Sequence, residues 1–287
     1  MKKTDIHLHL TFEQHPKTEH MFVSSAEHML PHLRELSIEK GILMSSGEGN
    51  SAVPFGSNDE CRQIAEAFPG IYFWMCNLDD VPENIFERLE TYKNQGAVGI
   101  GELMINRSID DPMIQEIFAA AETLSLPVLF HMSPEVGYEY GIVDEPGLPM
   151  LEEALEKYPR LKFIGHSQPF WHEISQDAKP DLKSRMEWGK GPVKEGGRLV
   201  CLMRNYKNLY ADLSANSGGC AIMRDEKFGL QFLEEFQDRL MFGTDMVNTD
   251  MVFPLGEWLD RQYQEGKLSV QAYRKICFEN AKKIFQL

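Results

Sequence analysis

The stretch "TDIHLHL", Thr4 to Leu10, sets Asp5, His7 and His9 at alternate positions close to the start of the chain. In a strand, side chains alternate between faces. Asp5, His7 and His9 are then expected to point one way, and Ile6, Leu8 and Leu10 the other. Two imidazoles side by side on one face can converge on a single cation, since neutral imidazole is a common zinc ligand. A pair of hydrogen-bonded core histidines would produce the same spacing. The stretch alone leaves both readings open, and its surroundings have to separate them.

Outward from this strand, apolar runs alternate with helical patterns. The runs are "GILMSS" (41–46), "GIYFWMCN" (70–77), "AVGIGEL" (97–103), "LPVLFHMS" (126–133), "LKFIGHS" (161–167), "NLYADLS" (208–214) and "RLMFGTDM" (239–246). Helical patterns cover 25–40, 59–68, 83–94, 111–124, 150–158, 227–236, 254–264 and 269–285. Two of them carry start signals, Ser57-Asn58-Asp59 and Asp110-Asp111-Pro112. Short, continuously apolar strands separated by helices indicate a parallel sheet buried on both faces. Eight such strands predict a (β/α)8 TIM barrel rather than an open doubly wound sheet. No glycine-rich phosphate loop follows the early strands, and "SGEGNSAVPFGS" (46–57) lacks a GK[ST] ending. The irregular piece 168–197 reads as a loop insertion over the top of the barrel. With no repeat, low-complexity segment or linker, residues 1–287 form one domain.

Composition narrows the function. Hydrophobic residues make up 43% and charged residues 25%, as in a soluble protein with a substantial core. The 44 acidic residues outnumber the 29 basic ones, for a net charge of −15. Such a field repels phosphate backbones and anionic membranes. Basic residues are scattered, as between Lys179 and Lys194, so neither nucleic acid nor a membrane is an expected partner. Five widely spaced cysteines (61, 76, 201, 220 and 277) suit reduced thiols in the cytoplasm. Neither a signal peptide nor a membrane-spanning run is expected.

Active sites of (β/α)8 barrels lie at the carboxyl ends of the strands. There the chain places His7, His9, Glu102, His131, His166 and Asp245, each closing an apolar run. Such a set of N and O donors is the makeup of a catalytic divalent-metal site with an open position.

The order H-x-H, then His after "VLF", His in "IGHS" and Asp in "FGTD" resembles the amidohydrolase superfamily of metal-dependent barrel enzymes. The closest likeness is to the branch containing aminocarboxymuconate-semialdehyde decarboxylase, the resorcylate-type decarboxylases and many hydrolases. "GHSQPFW" (165–171) is similar to the strand-six segment of that branch, and "ENAKKIF" (279–285) to its closing helix. The resemblance covers nearly the whole chain and speaks for superfamily rather than substrate. It implies that His7, His9, His131 and Asp245 bind one divalent metal, zinc or another transition metal. It also implies that His166 sits beside the metal-bound water or the substrate as acid or hydrogen-bond donor. A divalent cation acidifies bound water and polarises a carbonyl, and Asp245 would carry the proton.

The chain also departs from the superfamily. No lysine ends strand four to form a carbamate bridge; Glu102 stands there. "GIGEL" is similar to a segment of the TatD-like deoxyribonucleases, where a glutamate helps hold a second metal. Glu102 orienting a ligand histidine from behind is the other reading. The resorcylate-type decarboxylases often carry glutamate where this chain has His7, which leaves hydrolase and muconate-type decarboxylase both open.

Further residues are expected to matter less. Trp171 and His172 can wall a pocket, and Arg204 or Arg224 can pair with a substrate carboxylate. His28 and His32 have helical spacing interrupted by Pro31. His15 and His20 fall in the loop after the first strand, and the methionines fill the core. The sequence therefore reads as a cytoplasmic metalloenzyme that hydrolyses a small amide, ester or lactone. The alternative is non-oxidative decarboxylation of a small unsaturated or aromatic acid. The metal is zinc with a second ion open, the partner is a small-molecule substrate, and assembly into a homo-oligomer stays open. Nuclease activity is disfavoured by the charge, and a non-enzymatic scaffold by the complete ligand set.

Overall fold

The computed structural model describes residues 2–17, 22–49 and 55–287, so His20 lies outside it. Its strands are β1 (Lys3–Leu8), β2 (Ile38–Leu43), β3 (Tyr72–Trp74), β4 (Ile100–Leu103), β5 (Val128–Ser133), β6 (Ile142–Val143), β7 (Phe163–His166), β8 (Leu209–Asp212) and β9 (Leu240–Met241). All pair in parallel, in the orders β1-β2-β3 and β4-β5-β7-β8-β9, with the short β6 added beside β5. Backbone hydrogen bonds join the two sheets at both seams. Cys76 N donates to Gly99 O at 3.0 Å and Gly101 N to Cys76 O at 2.8 Å. On the other side Ile6 N donates to Phe242 O at 3.1 Å and Asp245 N to His7 O at 2.8 Å. The result is the (β/α)8 barrel that the alternation of runs implies.

Helices α1 (Ala26–Glu35), α2 (Asn58–Ala67), α3 (Ile85–Asn94), α4 (Pro112–Leu124) and α5 (Pro149–Lys157) wrap the first half of the barrel. The starts of α2 and α4 are fixed by the signals in the sequence. Ser57 Oγ accepts from Glu60 N at 3.3 Å, and Asp111 Oδ1 accepts from Met113 N at 2.9 Å ahead of Pro112. The first helix falls short of the expected 25–40. Ser37 takes a left-handed φ of 62°, which ends the helix and lets β2 begin at Ile38. Glu39 and Lys40, both good helix formers, sit instead on the strand's outer end.

The second half contains more helix than the sequence suggests. The expected loop 168–197 includes α6 (Gln168–His172) and α7 (Leu182–Arg185), with Phe170, Trp171 and Ile174 buried. Two further helices, α8 (Arg198–Asn205) and α9 (Ala215–Met223), flank β8, followed by α10 (Glu226–Glu235) and α11 (Leu255–Gln264). The expected helix 269–285 is α12 (Val270–Arg274), a π-helical turn (Lys275–Glu279) and α13 (Asn280–Phe285). No helix among the described residues is long and apolar enough to cross a membrane.

Two layers of apolar side chains make the core. Ile42, Met44, Met75, Leu129, Ile164 and Met241 fill the barrel interior, and Leu8, Phe130, Phe163 and Leu240 belong to the layer between sheet and helices. β1 breaks the strict alternation expected of it. Its pairing shifts register between Asp5 and Leu8, and Ile6 joins the inner layer while Leu8 and Leu10 join the outer one. His7 and His9 both reach the barrel mouth; Asp5 does not share that face with them.

Candidate metal centre at the barrel mouth

His7 and His9 come from β1 and its extension, Glu102 from β4, His131 from β5, His166 from β7, and Asp245 from the turn after β9. His7, Glu102, His131 and His166 are buried, whereas the side chains of His9 and Asp245 keep 16% and 27% of their surface open. That opening is the approach to the site. Asp245 adopts a left-handed φ of 63°, which aspartate tolerates better than most residues. Its backbone N–H is tied to His7 O, and this bent backbone turns the carboxylate into the mouth.

His7 Nε2 lies 3.1 Å from His9 Nε2, and Asp245 Oδ1 lies 3.4 Å from the first and 3.3 Å from the second. Two ligands held about 2.0–2.1 Å from a tetrahedral zinc stand about 3.3–3.4 Å apart. The triangle has the edge length of a zinc coordination face. Glu102 Oε2 lies 3.7 Å from both imidazole nitrogens, in reach of a fourth apex. His131, placed among the ligands by resemblance, groups with Glu102 and His166, a second set of donors close enough together to hold an ion. Its Nδ1 lies 2.7 Å from Glu102 Oε1, and His166 Nε2 lies 3.7 Å from the same oxygen. Glu102 thus turns one oxygen to the His7–His9–Asp245 triangle and the other to His131 and His166.

The electrostatics suit a cation. Burial opposes charge on His7, but the carboxylates of Asp245, Glu102 and Asp212 outweigh it and hold its pKa well above the usual imidazole value. Burial likewise pushes Glu102 up, yet His131 and His7 bring it well below the ordinary carboxylate range. Asp245 is lowered against its burial by His7 and His9. Among the described residues these three carboxylates are ion-paired only with imidazoles, never with lysine or arginine. Converging nitrogen and oxygen donors in a buried, net negative cradle fit a divalent ion.

Asp212, at the end of β8, belongs to the site although the sequence reading passed over it. Its Oδ2 lies 2.7 Å from His7 Nδ1 and 3.1 Å from His166 Nδ1, and it accepts from Ser214 Oγ at 2.6 Å. The residue closes the run "NLYAD", the same signal that marked the others. Gly243 leaves it room, since a Cβ there would stand 2.7 Å from Asp212 Oδ1. Below the mouth, Asp5 accepts from Thr244 Oγ1 at 2.6 Å and from His7 N at 3.0 Å, bracing β1 against the turn that carries Asp245. Tyr140 is a further residue with no local signal. Its ring packs on His131 with centroids 4.5 Å apart. The residue is 49% exposed, yet desolvation of its hydroxyl and the charges of Glu102 and Asp245 raise the hydroxyl pKa.

The remaining expected residues distribute unevenly. Trp171 is core, 2% exposed, and its Nε1–H donates to Asp212 O at 3.0 Å, so it supports the site from behind. His172 Nε2 lies 2.9 Å from Lys179 O and helps fold the insertion. Together with Trp188, Ser217 and Arg224, Trp171 and His172 line a narrow crevice between α6 and α9. Arg224 Nη1 donates to Lys190 O at 3.3 Å. Arg204 is not in the site. It lies on the exposed side of α8, bonded through Nε and Nη2 to Glu235 at 2.6 and 2.9 Å. His15 and His28 are exposed, and His32 pairs with Glu35 at 3.8 Å, so no metal cluster forms there.

Three solved structures share the fold. A 2,6-dihydroxybenzoate decarboxylase from Rhizobium aligns with 99% of this chain and 98% of its own at 17% identity and TM-score 0.65. A probable 2-pyrone-4,6-dicarboxylic acid hydrolase from Acinetobacter baumannii, with citric acid bound, covers 100% of both chains at 14% identity and TM-score 0.61. A 5-carboxyvanillate decarboxylase from Novosphingobium aromaticivorans, complexed with manganese, covers 100% of this chain and 96% of its own at 16% identity and TM-score 0.63. A search of curated proteins finds no match. The family model described as "Amidohydrolase" matches residues 5–287, from the first strand's Asp5 through the last helix, and the chain belongs to that family.

Proposed function

We propose that this protein is a metal-dependent hydrolase of a small amide, ester or lactone, with one divalent cation held by His7, His9, Asp245 and Glu102. One observation carries the reading. Asp245 turns Oδ1 to the two imidazole nitrogens, at 3.4 and 3.3 Å, and Oδ2 to His166 Nε2, at 3.8 Å. When bound, a cation of this kind acidifies water and polarises a carbonyl oxygen. Asp245, kept ionised by its histidine neighbours, accepts a proton at the mouth and stands beside His166, which receives or returns it on the substrate side. Glu102, held by His131, keeps its other oxygen toward the ligand triangle. The N and O donors suit zinc, and the two carboxylates also suit manganese.

Decarboxylation is the second reading, because decarboxylases stand beside a hydrolase among the similar structures. His7 stands against the resorcylate type alone, whose members often carry glutamate there, and leaves a muconate-type decarboxylase open. The test is to supply zinc- or manganese-loaded protein with small esters, lactones and amides, and separately with hydroxybenzoic acids. Release of an acid together with an alcohol or amine is expected; release of carbon dioxide overturns the proposal. In the same assay Asp245→Asn should lose about 10²–10⁴-fold in turnover while holding metal. Near-native turnover by that variant would remove Asp245 from the chemistry.

A further inference from the structure

The buried polar groups behind the mouth make a closed hydrogen inventory. Asp212 is fully buried, as are Ser214 and His7, and His166 is 2% exposed. Asp212 Oδ1 accepts from Ser214 N at 2.9 Å, and Oδ2 accepts the Ser214 hydroxyl at 2.6 Å. The same Oδ2 faces His7 Nδ1 at 2.7 Å and His166 Nδ1 at 3.1 Å. With its own hydrogen given to Asp212, Ser214 Oγ has lone pairs left, and it lies 3.0 Å from His166 Nδ1 and 3.3 Å from His7 Nδ1. Every acceptor at the Nδ1 edge of the two rings is therefore an oxygen that needs a hydrogen from the ring. If either histidine carried its only hydrogen on Nε2, a bare Nδ1 lone pair would face a buried carboxylate oxygen. A buried polar pair without a hydrogen between them is costly.

We propose that Asp212 is a positioning residue that holds a hydrogen on Nδ1 of both His7 and His166, so that metal binding or proton exchange at either ring takes place at Nε2, on the barrel mouth. The inference deepens the cation reading above and rests on it for His7, whose Nε2 then faces the ion as a lone pair. For His166 it assigns the reacting atom. This histidine exchanges protons only through Nε2, 3.8 Å from Asp245 Oδ2. A single carboxylate oxygen thus aligns a metal ligand and the neighbouring proton carrier, the arrangement by which carboxylates behind ligand histidines set ring orientation and basicity.

The test uses the full chain, labelled with ¹⁵N-histidine and loaded with zinc. Long-range ¹H–¹⁵N correlation should show His166 and His7 each with a hydrogen on Nδ1. Asp212→Asn offers an amide N–H to one ring, so at least one of the two histidines should move its hydrogen to Nε2. Zinc affinity, measured by competition with a chelator, should fall about 10–100-fold. His166 with a bare Nδ1 in the unmodified protein overturns the inference, and this measurement stands even if Asp212→Asn does not fold. So does an Asp212→Asn protein with parental tautomers and zinc affinity. A chain that takes up no zinc refutes the cation reading instead, and the His166 tautomer in that zinc-free protein still decides the role of Asp212.

Discussion

At the scale of single residues, the site depends on one missing methyl group. Gly243 in "FGTD" lies where a Cβ would come within 2.7 Å of Asp212 Oδ1, 3.0 Å of Ser214 Cβ and 3.2 Å of His7 Cβ. Gly243→Ala should therefore push the carboxylate off both imidazoles, costing about 1–3 kcal/mol of stability by overpacking. Metal content should fall with it. A variant with parental melting temperature and full metal occupancy would show that the network has slack. The residues around this glycine were partly legible beforehand. His7, His9, Glu102, His166 and Asp245 each end an apolar run, and a charged group there has few purposes other than a site. Asp212 obeys the same rule but fell outside the order of residues that the family resemblance supplied. The place of His131 behind Glu102 is not legible, because which of two neighbours touches a third depends on side-chain geometry. Arg204 had no local mark of its true partner either, since Glu235 lies on another helix, 31 residues away.

Among the elements, those with local signals came through and those shaped by their surroundings did not. Caps at Ser57 and Asp111 set helix starts within the chain itself, while α8 and α9 take their form from packing around β8. The register shift in β1 likewise comes from its neighbours, β2 on one side and the turn after β9 on the other. The start of α5 offers a measurable case. Asp144 Oδ2 accepts from Leu151 N at 2.8 Å, and Oδ1 from Met150 N at 3.1 Å and Glu145 N at 2.7 Å. Burial nevertheless dominates and pushes its carboxyl up to about 6 from an ordinary 3.8. The folded chain then holds a proton that the unfolded chain releases first. This group's contribution to stability is complete below the unfolded pKa and is lost as pH rises through the folded one. Carboxyl ¹³C shifts should give Asp144 a midpoint near 6. A midpoint at or below the ordinary value would mean that the three N–H donors outweigh burial.

For the whole molecule, the cradle straddles the barrel's two sheets: His7 and His9 from one, Glu102, Asp212 and Asp245 from the other. A cation held there ties the sheets together at the mouth. A ligand present at 100 times its dissociation constant stabilises the fold by about 2.7 kcal/mol. Chelation should accordingly lower the melting temperature, with amide exchange quickening first at Ile6, His9 and Asp245 along the β1–β9 seam. Uniform quickening across β5 and β7 as well would mean that the ion stabilises the barrel without favouring that seam. The bond from Thr244 to Asp5 spans 239 residues of sequence, which has a consequence in time. Contacts between such distant parts of a chain form late, because a long loop must close before they return any energy. While the polypeptide is being made, its opening strand waits with two histidines and no partner for them until the last strand arrives. The full set of donors, Asp245 beside His7 and His9, therefore exists only once the two ends of the barrel have met.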